Sequence, residues 1–235
     1  MRILAIDTAL PAVSACVLDQ DVEEPLALES VAMERGHAEA LLPLIERVMR
    51  KVDGGFASLD RVAVAVGPGS FTGIRIGLAA GQAIALACKV EIVGVSTLAA
   101  LAAPLILDPF DGVVAAAIDA RHGKVYIAAF GPDGRALLTP RRVSAHEALR
   151  ALGSGPLLLT GSGAALLAKE ARASGVATKI VAEQPSPDIS FVARLGLVAD
   201  PTTAPARPLY LKAPDAKPMD SVGPGAPVVA QAAPM

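Results

Sequence analysis

The stretch with the most chemical promise is Gly67-Pro68-Gly69-Ser70-Phe71-Thr72-Gly73-Ile74-Arg75. It follows an apolar run over 62–66, short enough for a buried strand. It precedes a proline-free stretch to residue 87 that reads as helix. A strand, a glycine loop and a helix aim backbone N–H groups and a helix N-terminus at whatever lies above the sheet, which suits an anion. Gly67, Gly69, Ser70 and Thr72 are the candidate anion-binding positions, and Ser70 or Thr72 can cap the helix. The same loop also serves as a plain turn that packs strand against helix, and spacing alone leaves both readings open. It is not a P-loop, because no lysine lies between Arg61 and Lys89. It is not the dinucleotide fingerprint, whose third glycine would fall at Thr72. Nor is Ser70 a hydrolase nucleophile elbow, since Pro68 and Thr72 stand where that motif needs glycine.

Other reactive residues are scattered. Asp7, Asp60, Asp119 and Glu39 could act as acid or base only if the fold brings them together. Arg121 carries a planar fork suited to contact with a phosphate or a partner, or is a solvated turn arginine before Gly123. His37, His122 and His146 are far apart with no His-x-x-x-His pair, so no metal site is expected. His37 reads as an exposed or capping imidazole at a helix start.

Within the helix after the loop, Gly73, Gly77 and Gly81 share one face. Each costs roughly 1 kcal/mol against alanine, so close approach of something should repay them. The expectation is a helix of a second chain, with the helix over 37–51 beside it. Leu42 and Met49, off the Leu41, Ile45 and Val48 face, would join the contact together with Ile74. Two such helices from each subunit make a four-helix interface, and alone the patch would pair with itself as a weak homodimer. The alternative is that the glycines face the chain's own sheet.

Composition bounds the rest. The 235 residues are 53% hydrophobic and 19% charged, with 3% aromatics, and mean hydropathy is +0.51. An Ala/Val/Leu/Ile core of one large or two small domains is expected. The longest uncharged apolar run, between Arg75 and Lys89, is shorter than the roughly 20 residues of a bilayer span. Asp7 interrupts the first apolar run early, so no secretory signal is expected. The chain reads as cytoplasmic, with Cys16 and Cys88 as reduced thiols. Net charge −2 offers little counterion release, so nucleic acid should be gripped weakly by this chain alone.

Along the chain, strands over 2–7, 13–18 and 26–33 precede the helix over 37–51, in which Pro43 should kink or displace the start. After the glycine loop and its helix come a strand over 91–95 and a short helix over 96–103 capped by Ser96. Residues 104–109 read as a boundary, and the strand-strand-strand-helix pattern then restarts: strands over 113–118, 125–130 and 135–143, a helix over 145–152, a strand over 157–160, a helix over 164–173, a strand over 178–181 and a last helix over 189–199. An internal structural duplication follows: domains over 1–106 and 107–211, the last helix packing back on the first. Residues 212–235, rich in Pro and Ala, read as a mobile tail.

Asp7-Thr8, this element order, the Gly67 to Arg75 string, Asp119-Ala-Arg-His-Gly-Lys-Val-Tyr126 and Pro208-Leu-Tyr-Leu211 together resemble the TsaB (YeaZ) family, over essentially 1–211. The resemblance implies an α/β actin-like ATPase (ASKHA) fold of two related βββα-type domains. It places Asp7 and Thr8 with the nucleotide-binding positions, although the Asp-x-Gly-Thr/Ser motif of active relatives is absent. It implies a non-catalytic subunit of tRNA N6-threonylcarbamoyladenosine synthesis, in a heterodimer with the catalytic paralogue TsaD and with the ATPase TsaE as a further partner. It implies no cofactor for this chain alone, ATP or ADP at the complex interface, and tRNA contact only through the complex. The alternatives from other classes are a nucleotide-hydrolysing or sugar-kinase-like enzyme on the same fold and, third, a metallopeptidase.

Overall fold

The computed structural model describes residues 1–108, 110–182 and 185–211. The tail over 212–235, and Pro109 of the expected boundary, lie outside the described residues.

Strand β1 (Arg2–Asp7) pairs antiparallel with β2 (Ala12–Asp19), and β2 with β3 (Ala27–Ala32). On its other side β1 pairs parallel with β4 (Arg61–Gly67), and β4 with β5 (Glu91–Ser96). The sheet order is β3-β2-β1-β4-β5. The second half repeats this with β6 (Val113–Asp119), β7 (Lys124–Phe130), β8 (Ala136–Ser144), β9 (Leu157–Thr160) and β10 (Thr178–Ala182). Its order, β8-β7-β6-β9-β10, has the same senses. Central strands such as β1 and β4 read as continuous apolar runs because helices cover both faces.

Helices α1 (His37–Met49) and α2 (Phe71–Cys88) cover one face of the first sheet. Leu41, Leu44, Ile45 and Val48 of α1 and Ile74 and Leu78 of α2 share a buried cluster with Val13, Val62 and Val64. Helices α4 (Ala145–Leu152) and α5 (Ala164–Ala173) do the same for the second sheet. The remaining two helices cross over. Leu98, Leu101 and Leu105 of α3 (Thr97–Leu107) pack on Val114, Ala116, Ile118 and Leu158 of the second sheet. Ile189, Val192 and Ala193 of α6 (Ile189–Val198) pack on Ile3, Ala5, Ala63 and Val93 of the first. Helices α3 and α6 also touch each other, so they form the layer between the sheets. Arg61 fastens α6: its Nη1 donates to the carbonyls of Gly196, Leu197 and Ala199 at 3.1, 3.3 and 3.0 Å. Cationic donors at a helix C-terminus satisfy carbonyls that have no helical partner.

Three local expectations are corrected. Helix α3 continues through Pro104 to Leu107, so the expected boundary begins inside a helix. Its packing on the second sheet outweighs the single backbone bond that proline removes. Ser96 stands at the N-cap of α3, but its hydroxyl is buried without a partner and makes no cap bond. Helix α2, at 18 residues, is long and apolar enough by length and composition to cross a membrane. It nevertheless contains Arg75, and one of its faces is packed on β4.

Candidate functional site

The glycine loop does join β4 to the N-terminus of α2, with Ser70 as N-cap: its Oγ accepts the Gly73 amide at 3.2 Å. The turn after β1 is docked into that loop. The Ser70 amide donates to the Ala9 carbonyl at 2.7 Å, and the Thr8 hydroxyl donates to the Gly73 carbonyl at 2.7 Å. A Cβ at Gly69 would collide with the Ala9 carbonyl. Two of the amides an anion would need are therefore used inside the chain. Asp7 and Thr8 are buried behind this turn. Asp7 accepts the Ala9 amide at 2.7 Å, and burial pushes its carboxyl up to about 6, against the lowering effect of that bond. Gly67 backs onto Ile74, and Thr72 is exposed on the first turn of α2.

The glycine face is where the sequence expectation fails. A Cβ at Gly73 would run into the Thr8 carbonyl, one at Gly77 would lie 2.6 Å from Thr8 Oγ1, and one at Gly81 would strike Val64 Cγ2. The three glycines admit the chain's own β1–β2 turn and β4, not a second chain. Ile74 and Met49 are likewise buried in the first sheet's core. Among the six residues expected at the interface, only Leu42 is solvent-facing, at 59% exposure. The face of α2 opposite the glycines carries exposed Ala79, Ala83, Leu86 and Ala87.

A cleft of about 600 Å³ separates the two halves. One wall carries Leu10, Glu34, Arg35, His37, Gly69 and Ser70, and the other Asp119, Arg121 and Tyr126. His37 lies 3.1 Å from the Leu10 carbonyl. Asp119 ends β6 as Asp7 ends β1, and each accepts the amide two residues on, here Arg121 at 2.8 Å. Arg121 and His122 hold φ 61° and 54°, left-handed values that cost non-glycine residues roughly 1–2 kcal/mol each and concentrate at functional turns. The cleft thus gathers Gly69, Ser70, Asp119 and Arg121 from the sequence candidates. It excludes Asp7, Thr8, Gly67 and Thr72 from its walls, and Asp60 instead accepts the Arg2 amide at the far end of β1. Glu34 and Arg35 sit in no motif, and nothing in the Asp119 to Tyr126 segment signalled that Tyr126 would face them across the cleft. Among the described residues no three His, Cys, Asp or Glu side chains group as a metal site.

The family model described as TsaD: tRNA N6-adenosine threonylcarbamoyltransferase matches residues 31–194. The Escherichia coli tRNA threonylcarbamoyladenosine biosynthesis protein TsaB is 35% identical over 173 residues, 69% of this chain and 72% of that protein. The chain belongs to the TsaB (YeaZ) family. An uncharacterized Mycobacterium tuberculosis protein is 34% identical over 217 residues, 92% of this chain and 94% of its own length. Among solved structures, YeaZ from Pseudomonas aeruginosa superimposes with TM-score 0.72 at 24% identity, over 89% of this chain and 99% of that one. The two repeated sheets with crossed helices are therefore the α/β actin-like (ASKHA) fold of TsaB proteins.

Proposed function

We propose that this chain is a non-catalytic subunit of tRNA N6-threonylcarbamoyladenosine synthesis that pairs with the catalytic paralogue TsaD and works with TsaE in the cytoplasm. The family membership supplies the pathway. The observation that carries the non-catalytic reading is the Ser70 amide bonded to the Ala9 carbonyl, with Gly73 N bonded to Ser70 Oγ. A phosphate-transferring relative needs such amides free for its nucleotide. Here the Ser70 amide holds the chain's own turn and the Gly73 amide holds the helix cap. The chain on its own then needs no cofactor, and any ATP or ADP sits at the interface with its partner.

The pairing surface is the outer face of α1 and α2. Leu42 of α1 and Leu86 of α2 are 59% and 81% exposed, and the exposed Ala79 and Ala83 of α2 let a partner helix approach closely. Large exposed apolar groups clustered on neighbouring helices mark association sites. Without TsaD the same face supports a weak homodimer, and tRNA meets this chain only within the complex. Co-purification with TsaD, followed by threonylcarbamoylation of tRNA with and without this chain, tests the reading. The cleft of about 600 Å³ with its ionisable walls favours the rival reading of a nucleotide-handling enzyme. ATP hydrolysis by the isolated chain faster than roughly 1 per second would establish that rival.

A further inference from the structure

Helix α2 begins with a cluster assembled from distant parts of the chain. The Arg75 guanidinium lies over the Phe71 ring, its Cζ 3.7 Å from the centroid. Arg75 Nε donates to the Tyr210 hydroxyl oxygen at 2.9 Å. The two rings stand 5.1 Å apart. Tyr210 arrives because the segment after α6 folds back across the first sheet. Gly94 N donates to the Ala204 carbonyl at 2.9 Å and Leu209 N to the Val66 carbonyl at 2.8 Å. Phe71 and Tyr210 remain 48% and 44% exposed.

Arg75 forms no ion pair among the described residues. One face of the guanidinium is covered and Nε is bonded, so the two terminal amino groups are what remains to bind. The Phe71 ring attracts the cation without neutralising its charge. Arginine has a long, rotamer-rich side chain, and the Phe71 and Tyr210 contacts restrict that freedom before any partner arrives. A fork held in this way is preorganised for a planar anion.

We propose that Arg75 is a preformed receptor for one Asp or Glu side chain of the protein that docks along the outer face of α2. This rests on the pairing proposed above. Charge complementarity requires an anion. The exposed residues running on from Arg75, namely Ala79, Gln82, Ala83 and Leu86, carry no charge, which suits a protein helix and not a phosphate backbone. Nucleic acid is disfavoured on a second ground. A base would stack on an open aromatic face, and the guanidinium already covers that of Phe71.

The test uses the full chain and the purified TsaD paralogue from the same organism, with Kd measured at low and high salt. Arg75→Gln should weaken binding about 10- to 100-fold, flatten the salt dependence and leave the melting temperature unchanged. Arg75→Lys should recover little, because lysine has charge without the fork. Tyr210→Phe, which removes the anchor of Nε, should cost about threefold. Leu86→Glu probes the surface independently of Arg75. If Leu86→Glu abolishes binding while Arg75→Gln keeps the wild-type Kd and salt slope, the receptor role is wrong and the docking face stands. If the wild-type chain does not bind the paralogue, the pairing falls and the receptor with it. If Arg75→Gln weakens binding of tRNA to the isolated chain and leaves the paralogue Kd unchanged, Arg75 is a nucleic-acid contact and the proposal is overturned.

Discussion

The amide of Ser70 donates to the carbonyl of Ala9 at 2.7 Å, which ties the glycine loop to the turn after β1. The same contact explains three features at once. It fills the space above the loop with the chain's own backbone. It requires glycine at positions 69 and 73, where a Cβ would collide with Ala9 and Thr8. It buries Asp7 behind the turn, where the carboxyl meets the Ala9 amide.

If the glycine face serves this packing, Gly73→Ala and Gly81→Ala should destabilise the chain despite alanine's better helix propensity. The gain of roughly 1 kcal/mol is opposed by overpacking of about 1–3 kcal/mol. At Gly73 the obstacle is the Thr8 backbone, and at Gly81 the buried β-branched Val64. Denaturant melts should show lower midpoints for both, with association of the folded fraction retained. Loss of association at unchanged stability would restore the interchain reading of these glycines.

Asp7 gives a pH signature. Its carboxyl titrates near 6 in the folded chain, against 3.8 for an ordinary aspartate, because burial penalises the charge. Below about 3.8 both states hold the proton and the group has no effect. Between 3.8 and 6 the folded chain keeps a proton that the unfolded chain has released, so stability falls as pH rises, and the full penalty persists above 6. Asp7→Asn should flatten this part of the stability profile, raising relative stability at neutral pH by about 1–3 kcal/mol. A wild-type profile without that decline would remove the buried-carboxylate account.

Much of this architecture was legible in the sequence, and the failures have definite physical sources. Apolar runs and glycine or proline breaks located β1, β4, the loop and α2, because those elements are set by local periodicity and burial. The restart after residue 109 marked the repeat. Helical spacing showed that Gly73, Gly77 and Gly81 share a face, but periodicity says nothing of which neighbour that face meets. Thr8 and Val64 are that neighbour, and they come from other strands. Met49 looked spare on α1 alone, yet it is buried in the core cluster of the first sheet. Proline spacing suggested a break at Pro104, where tertiary packing carries α3 onward. Phe71, Arg75, Tyr126 and Tyr210 lie in recognisable segments, but no local pattern tells that Phe71 and Arg75 meet Tyr210, or that Tyr126 faces Glu34 and Arg35 across the cleft.

Arg61 should hold α6 against the first sheet. Its Nη1 meets three carbonyls at the end of that helix, and its Nη2 meets Glu91 at 3.2 Å. Arg61→Met should cost about 2 kcal/mol, mostly by leaving those carbonyls less satisfied. Hydrogen exchange should speed up in α6 more than in α4 or α5. Uniform acceleration across the whole chain would mean that Arg61 acts on global stability and not on the docking of α6.

Association should depend on the exposed face of α2. Leu86→Glu places a charge on a side chain that is 81% exposed, so stability should stay within about 0.5 kcal/mol of wild type. Sedimentation should show loss of both the homodimer and the complex with the catalytic paralogue. Retained association would move the interface elsewhere on the chain.

Threonylcarbamoylation of tRNA by the purified catalytic paralogue and its ATPase partner, measured with and without this chain, tests the central claim most directly. The expected result is transfer that depends on the chain, is supported equally by Asp7→Asn, and is lost with Leu86→Glu. Transfer that proceeds equally without the chain would contradict the account, as would a folded Asp7→Asn variant that binds the paralogue yet supports no transfer.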